Sequence, residues 1–395
     1  MKHEVTVAAM ALVLLSTEVA AATYVDATVT HVPEAKQLHA LDAAFVDVDK
    51  DGDLDVILAV EGDANRLYIN KGKGRLSWRQ GVFGSIAHDT EHVLSADFNR
   101  DGFTDVMFIA EDDQVHQLFL GDGKGKFTDA SDRLPARSEG NGLAIGDVNR
   151  DGLPDVVLGN SGTQGQNFLW LNEAARPGYF VDATATHLPA VNDATQDIAL
   201  ADLDGDGDLD MVVANEVPPN RLLLNDGKGK FTEASDRMWL AVELHTREVH
   251  VFDATHDGKP DILFLNLTSN NRGREKDPQA RLLVNDGRGR FIDETTVRLP
   301  RNTFSAWGGE VVDFNDDGHL DLIVSAIDVP GFKPLQVRAY ANDGKGTFKD
   351  VTADVIPAST IGRSWSMAVG DLDGNGKDDV FIGGWGTQAR LLLRQ

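Results

Sequence analysis

Apolar and polar positions alternate along this chain in short blocks, and the same order of blocks keeps returning. A unit holds a β-rich run such as Val56-Ile57-Leu58-Ala59-Val60, then a second such as Arg66-Leu67-Tyr68-Ile69-Asn70. A glycine turn follows: KGKG from Lys71, DGKG from Asp122, DGKG from Asp226, DGRG from Asp286 and DGKG from Asp343. Asp-Gly between apolar runs is a strong hairpin signal, because both residues tolerate positive φ. An aromatic-x-acid-x-Ser/Thr strand closes the unit, as in Phe127-Thr-Asp-Ala-Ser, Phe180-Val-Asp-Ala-Thr, Phe231-Thr-Glu-Ala-Ser, Phe291-Ile-Asp-Glu-Thr and Phe348-Lys-Asp-Val-Thr. Leu76-Ser-Trp is a degenerate copy in the first unit. No helical period is evident in these blocks.

Between the first and second strands of each unit lies an acidic loop, D-x-[D/N/T]-x-[D/N]-G-x-x-D. It starts at Asp47, Asp97, Asp147, Asp202, Asp253, Asp313 and Asp371, at intervals of 50 to 60 residues. Four short antiparallel strands per unit, seven times over, predict an all-β fold: a seven-bladed β-propeller of four-stranded blades. The last unit stops at Arg390-Leu-Leu-Leu-Arg-Gln395, which reads as its third strand. The missing fourth strand stands at the other terminus, where Tyr24-Val-Asp-Ala-Thr28 matches Phe180-Val-Asp-Ala-Thr184. The N-terminal strand is therefore expected to complete the last blade and close the ring, which removes two open sheet edges.

The acidic loops point to calcium. Side-chain oxygens at positions 1, 3 and 5 converge, Gly at position 6 allows the sharp turn, position 7 offers its carbonyl and the acid at position 9 closes the shell. The expected ligands are Asp47, Asp49, Asp51, Asp53 (through its carbonyl) and Asp55 in the first loop, then Asp97, Asn99, Asp101 and Asp105, and Asp147, Asn149, Asp151 and Asp155. They continue with Asp202, Asp204, Asp206 and Asp210, and with Asp253, Thr255, Asp257 and Asp261. Asp313, Asn315, Asp317 and Asp321, then Asp371, Asp373, Asn375 and Asp379, complete the set, for up to seven Ca2+ ions. Thr255 and Asn375 supply fewer charges, so the loops at Asp253 and Asp371 are expected to bind more weakly. Ordinary Asp-Gly turns would explain one Asp and the Gly, not four oxygen residues at fixed offsets.

Composition narrows the partners. The 395 residues carry a formal net charge of -26, with 63 acidic residues against 37 basic, which disfavours nucleic acid and anionic membranes. The chain has no cysteine, so any metal is held by oxygen or histidine and no disulfide forms. Residues 1–22 read as a secretory signal peptide: Lys2, an apolar run from Val5 to Leu15, then Ala20-Ala21-Ala22. The run is too short to span a bilayer, and residues 23–395 are expected to form one exported domain, secreted, periplasmic or at the cell surface.

These residues resemble the FG-GAP/VCBS repeat family, the calcium-binding propellers typified by the head of the integrin α-subunit. The seven acidic loops carry the resemblance, from about residue 23 to residue 395; Phe381-Ile-Gly-Gly-Trp is the nearest echo of the Phe-Gly-Gly-Ala-Pro motif. The resemblance implies relatives among adhesins, lectins and a few polysaccharide-degrading enzymes. The loops joining strands one and two should share a face with the glycine turns. Recognition is then expected on the opposite face, where the insertions Asn266 to Ala280 and Asp328 to Gln336 fall. The connections between blades there hold His88, Asp89, Glu91, His92, Asp193, His245, Arg247, Glu248, Trp307, Arg363 and Trp365. Of these, Glu91, His92, Arg247, Glu248, Trp307, Arg363 and Trp365 are the candidate ligand-binding residues, suited to a glycan or an extracellular or envelope protein by stacking and hydrogen bonding. No G-x-S-x-G elbow occurs, and His88 and His92 lack an accompanying helix, so binding or adhesion is favoured over catalysis. The alternatives are a polysaccharide lyase or hydrolase on the same scaffold, and a structural part of an envelope complex.

Overall fold

A computed structural model of the chain describes residues 24–135, 137–162, 165–217, 219–240, 242–267, 277–328, 333–361 and 367–395. The structure is all-β, in antiparallel sheets of mainly four or five strands, and its strands follow the repeat. In the first unit they are Ala40–Val46, Asp55–Asp63, Arg66–Asn70 and Leu76–Arg79. The third unit repeats this order with Gly140–Gly146, Asp155–Asn160, Phe168–Asn172 and Phe180–Asp182. A parallel pairing of Glu61, near the end of its strand, with His88 and Asp89 joins the first two sheets. Two small additions decorate the pattern: Met238–Trp239 pairs parallel to Phe291 and Ile292, and Lys333–Pro334 pairs with Ile327 and Asp328.

The terminal strands meet as the repeat predicts. Tyr24–Asp26 lies antiparallel to Arg390–Arg394, with Tyr24 opposite Arg394 and Asp26 opposite Leu392. The aromatic-x-acid-x-Ser/Thr motif explains why this edge is secure. Asp26 Oδ1 accepts the Thr28 N–H at 3.0 Å, and Thr28 Oγ1 accepts the Leu391 N–H at 3.0 Å. Asp182 with Thr184, Asp293 with Thr295 and Asp350 with Thr352 make the same paired contacts in their own units. The acid thus accepts the first N–H of a single helical turn, and the hydroxyl ties that turn back to the third strand. These turns, Thr28–His31, Thr184–His187, Thr295–Arg298 and Thr352–Val355, are too short to show a helical period in the sequence. No helix among the described residues is long and apolar enough to cross a membrane.

The apolar core is divided into layers between neighbouring sheets. Val46, Ile57 and Leu67 of the first unit pack on Val93, Val106 and Phe108 of the second. Equivalent layers join each later pair, and Ala368, Phe381 and Leu391 of the last unit pack on Val56, Leu58 and Tyr68 of the first. A second tie recurs at the end of the third strand. The Nδ2 of Asn172 donates to Phe98 O at 2.9 Å, Asn225 to Val148 O at 2.8 Å, Asn285 to Leu203 O at 2.9 Å and Asn342 to Ala254 O at 2.9 Å. Each acceptor is position 2 of the preceding unit's acidic loop. Asn70 reaches Leu372 O, across the termini, at 2.8 Å.

Candidate functional site

Each acidic loop is a turn tied to itself. In the second loop Asp97 accepts the N–H groups of Asp101 at 3.1 Å and Gly102 at 2.9 Å, and Asp101 accepts that of Phe103 at 2.9 Å. The other loops repeat the clasp of the first Asp onto the glycine. That glycine needs a left-handed backbone, with φ of +95° at Gly52. The acid at position 9 is buried in every loop. Its two oxygens accept backbone N–H groups from position 2 and from the end of the third strand, as Asp55 does from Val48 at 3.1 Å and Asn70 at 2.8 Å. Burial pushes these carboxyls up, to about 7 at Asp55, Asp155 and Asp321 and about 6 at Asp105, Asp210, Asp261 and Asp379.

Position 3 is different. Asp49 Oδ1, Asp204 Oδ1 and Thr255 Oγ1 are buried and lack a hydrogen-bond partner among the described residues. Carboxylate oxygens of Asp47, Asp49 and Asp55 lie within 4.8 Å of one another, as do those of Asp202, Asp204 and Asp206 and those of Asp371, Asp373 and Asp379. Burial, then the neighbouring carboxylates, raise Asp49 and Asp204 above the usual carboxylate range. Spare oxygens facing like charges fit a hard cation, which would sit against positions 1, 3, 5 and 9. In the second and third loops the position-3 residue is Asn, and its Nδ2 donates to position 5 (Asn99 to Asp101 at 2.9 Å, Asn149 to Asp151 at 3.2 Å).

The glycine turns lie beside these loops, as the topology requires. A methyl group added at Gly289 would come within 2.8 Å of Asp204 Cβ, and one at Gly125 within 3.6 Å of Asp49 Cβ.

The other end of the first strands carries the remaining candidates. Glu91, His92, Arg247, Glu248 and Trp307 sit within strands His88–Ala96, Thr246–Phe252 and Ser305–Val312, not on the connections where sequence reading put them. The reason is a β-bulge, which shifts the register at Leu41, Glu91, Asn141, Gln196, Arg247 and Trp307. Each of these residues stands six positions before the first Asp of its loop, and a bulge re-aims its side chain. Asn141 and Gln196 were missed as candidates, although that fixed offset marks them. Arg363 and Trp365 lie outside the described residues.

The bulged end is polar and closely paired. Arg247 Nη2 lies 3.5 Å from Glu91 Oε2, joining the fifth unit to the second. Asp42 Oδ2 faces His92 Nδ1 at 3.2 Å, and Glu248 Oε2 accepts the Gly309 N–H at 2.6 Å and lies 3.4 Å from His250 Nε2. Burial pushes Glu91 up to about 8 and Glu248 up to about 7. Asp193 pairs with Arg221 at 2.7 Å, His88 with Asp113 at 2.7 Å, and His245 Nδ1 contacts Glu216 O at 2.6 Å. Aromatic rings gather nearby: Trp385 is 5.2 Å from His39 and 5.9 Å from Trp307 between ring centroids, and its Nε1 donates to Glu61.

Comparison with known proteins agrees with the repeat. A family model described as an FG-GAP-like repeat matches residues 47–108, 97–158, 147–213, 202–264 and 329–382. Cartilage acidic protein 1 of Xenopus tropicalis is 31% identical over 232 residues, covering 56% of this chain and 33% of that protein. Its counterpart in Homo sapiens is 30% identical over 196 residues, covering 47% of this chain and 28% of that protein. The chain thus spans about a third of the length of the relatives it matches. With repeat matches over well more than half of its length, the chain belongs to the FG-GAP-like repeat family.

Proposed function

We propose that this protein is an exported, calcium-stabilised seven-bladed β-propeller that serves as a binding module for a glycan or an extracellular protein. Ring closure is supported by the pairing of the terminal strands, by the apolar layer between the last and first units and by the Asn70 contact to Leu372. The observation that carries the reading is a difference between the two ends of the first strands. One end repeats the same acidic loop in every unit. The other end, about 20 Å away by strand rise, places a different side chain at each equivalent bulge: Leu41, Glu91, Asn141, Gln196, Arg247 and Trp307. Repetition suits a structural ion, and differentiation on a rigid frame suits recognition. The half-buried ring of Trp385, with His39 and Glu61 beside it, offers a surface for stacking and hydrogen bonding.

Magnitudes fit a structural role for calcium. Extracellular modules bind it with Kd of about 10⁻⁴–10⁻³ M. At ten times Kd each site adds about 1.4 kcal/mol, so seven sites add on the order of 10 kcal/mol, comparable to the net stability of a domain. The test is calorimetry of the exported chain in calcium and in chelator, followed by a glycan array probed with the calcium-loaded protein and with Trp385→Ala. A Tm that rises with calcium and a glycan signal lost in Trp385→Ala are expected. A Tm unmoved by chelator would remove calcium from the account, and a signal indifferent to Trp385→Ala would place recognition elsewhere.

A further inference from the structure

We propose that the protein has a further ligand site, a pocket at the bulged end between the second and third units that takes one neutral sugar ring. Gln114, Arg137, Ser138, Glu139 and Phe168 line a cavity there of about 220 Å³. Gln114 stands in the hairpin that joins strands Asp105–Ala110 and Gln117–Gly121 of the second unit. Ser138 and Glu139 lead into the first strand of the third unit, and Phe168 opens its third strand. The Ser161 N–H donates to Glu139 O at 2.9 Å and fixes that rim.

Two observations point to a ligand. The first is the backbone of Gln114, with φ of +56°. Among the described residues it is the only non-glycine in the left-handed region outside the acidic loops and glycine turns. The matching hairpin of the third unit uses a glycine, Gly165 at φ +47°. Gly165 stands two residues before Asn167 as Gln114 stands two before His116, and these are matching anchors. His116 Nδ1 accepts the Ala110 N–H at 3.2 Å, and Asn167 Oδ1 accepts the Asn160 N–H at 2.9 Å. Glycine would close the hairpin of the second unit without strain, so a strained glutamine beside a cavity marks a side chain in use. Its Nε2 reaches to 3.4 Å from Glu139 Oε1.

The second is Ser138, only 5% exposed. Because the Ala110 N–H occupies His116 Nδ1, the ring proton is on Nε2, which donates to Ser138 Oγ at 3.1 Å. Burial pulls His116 down to about 4, so the ring is neutral in this role. The Ser138 hydroxyl proton has no acceptor among the described residues and is left for a ligand in the cavity. The lining selects the class. Planar amide, carboxylate and guanidinium groups bind neighbouring hydroxyls in pairs, and an aromatic ring covers the C–H face of a sugar. The two charges that line the cavity, Arg137 and Glu139, offset each other, which suits a neutral sugar over a uronate or an amine. Trp385 follows the second strand of the last unit and meets His39 of the first, so the two sites are separate and either can fail alone.

Methyl glycosides of galactose, glucose and mannose are the probes, with glucuronate as the charged control. They are titrated by calorimetry against the calcium-loaded protein and soaked into its crystals. One neutral sugar is expected to bind, with density against Gln114 and Phe168. Gln114→Gly should weaken it about tenfold, the effect of one lost hydrogen bond. The Tm of that variant should hold or rise, because relief of strain offsets the greater freedom of glycine in the unfolded chain. Trp385→Ala should leave the affinity unchanged. Binding of no neutral sugar, a preference for glucuronate, or equal affinity in Gln114→Gly would each overturn the pocket. A lower Tm in Gln114→Gly would overturn it too, as the mark of a purely structural glutamine. Sugar binding lost in Trp385→Ala and kept in Gln114→Gly would overturn it while leaving recognition at Trp385 standing.

Discussion

A single half-buried imidazole shows how the inner strands use charge. Burial alone would pull His250 down, but Glu248 at 3.4 Å, with Glu310 and Asp197, outweighs it and holds the ring up to about 9. Glu248 in turn is pushed up to about 7 by burial, against the pull of His250. Both groups bind a proton more tightly when folded than in the unfolded chain, where His titrates near ~6.5 and Glu near ~4.3. Stability therefore falls as pH rises wherever the folded state holds the extra proton. For His250 the contribution is complete below about 6.5 and is lost as pH climbs through about 9. Denaturant unfolding in saturating calcium, between those two values, should show the native protein weakening with pH. His250→Gln should flatten that slope; equal slopes in both proteins would mean that the ring is not charged in the folded state.

At the scale of the element, the connecting ties explain what the sequence made legible and what it hid. Strands, glycine turns and acidic loops were readable because each depends on residues adjacent in sequence: Asp97 clasps Asp101 and Gly102 within one turn. The terminal pairing was readable because Tyr24-Val-Asp-Ala-Thr28 repeats a motif found whole elsewhere. The bulges were not, because a register shift depends on the facing strand; Glu91, a candidate from the sequence, is placed on a bulge only by the pairing of Thr90 with Ala110 and His92 with Ile109. Asn285 was equally silent, since its role lies in another unit. Its Nδ2 donates to Leu203 O and Pro260 O, both at 2.9 Å, and its Oδ1 accepts the Gly287 N–H at 2.8 Å. Asn285→Ala leaves those buried groups unpaired and should cost about 1–3 kcal/mol. Because Leu203 belongs to the preceding loop, the same variant should also weaken calcium binding at Asp202, Asp204 and Asp206. Urea unfolding with and without calcium measures both effects, and a loss of stability identical in the two conditions would separate the Asn tie from the ion.

For the whole molecule, the decisive contact joins residues more than 350 positions apart. Tyr24 is 1% exposed, its ring packs with Val380, Ile382 and Leu392, and its hydroxyl donates to Asp378 O at 3.1 Å. Val25, its neighbour on the same strand, is 45% exposed. If the first strand were a loosely attached tail, neither side chain would matter to unfolding, because the tail would detach before the rest melted. If it is the fourth strand of the last sheet, it shields an edge that is otherwise open for pairing with other chains. Tyr24→Ala then opens a cavity between the last two units and should destabilise the entire fold by about 3–5 kcal/mol, as removal of a buried large aromatic does. Val25→Ala, on the exposed side, should stay within about 0.5 kcal/mol of the unsubstituted protein. Calorimetry distinguishes the two arrangements. One transition shifted downward by Tyr24→Ala, with self-association on mild heating, means that the chain unfolds as a unit held by its own ends. An unshifted main transition preceded by a small separate one means that the first strand is an appendage, and the units beyond it then support themselves without closure.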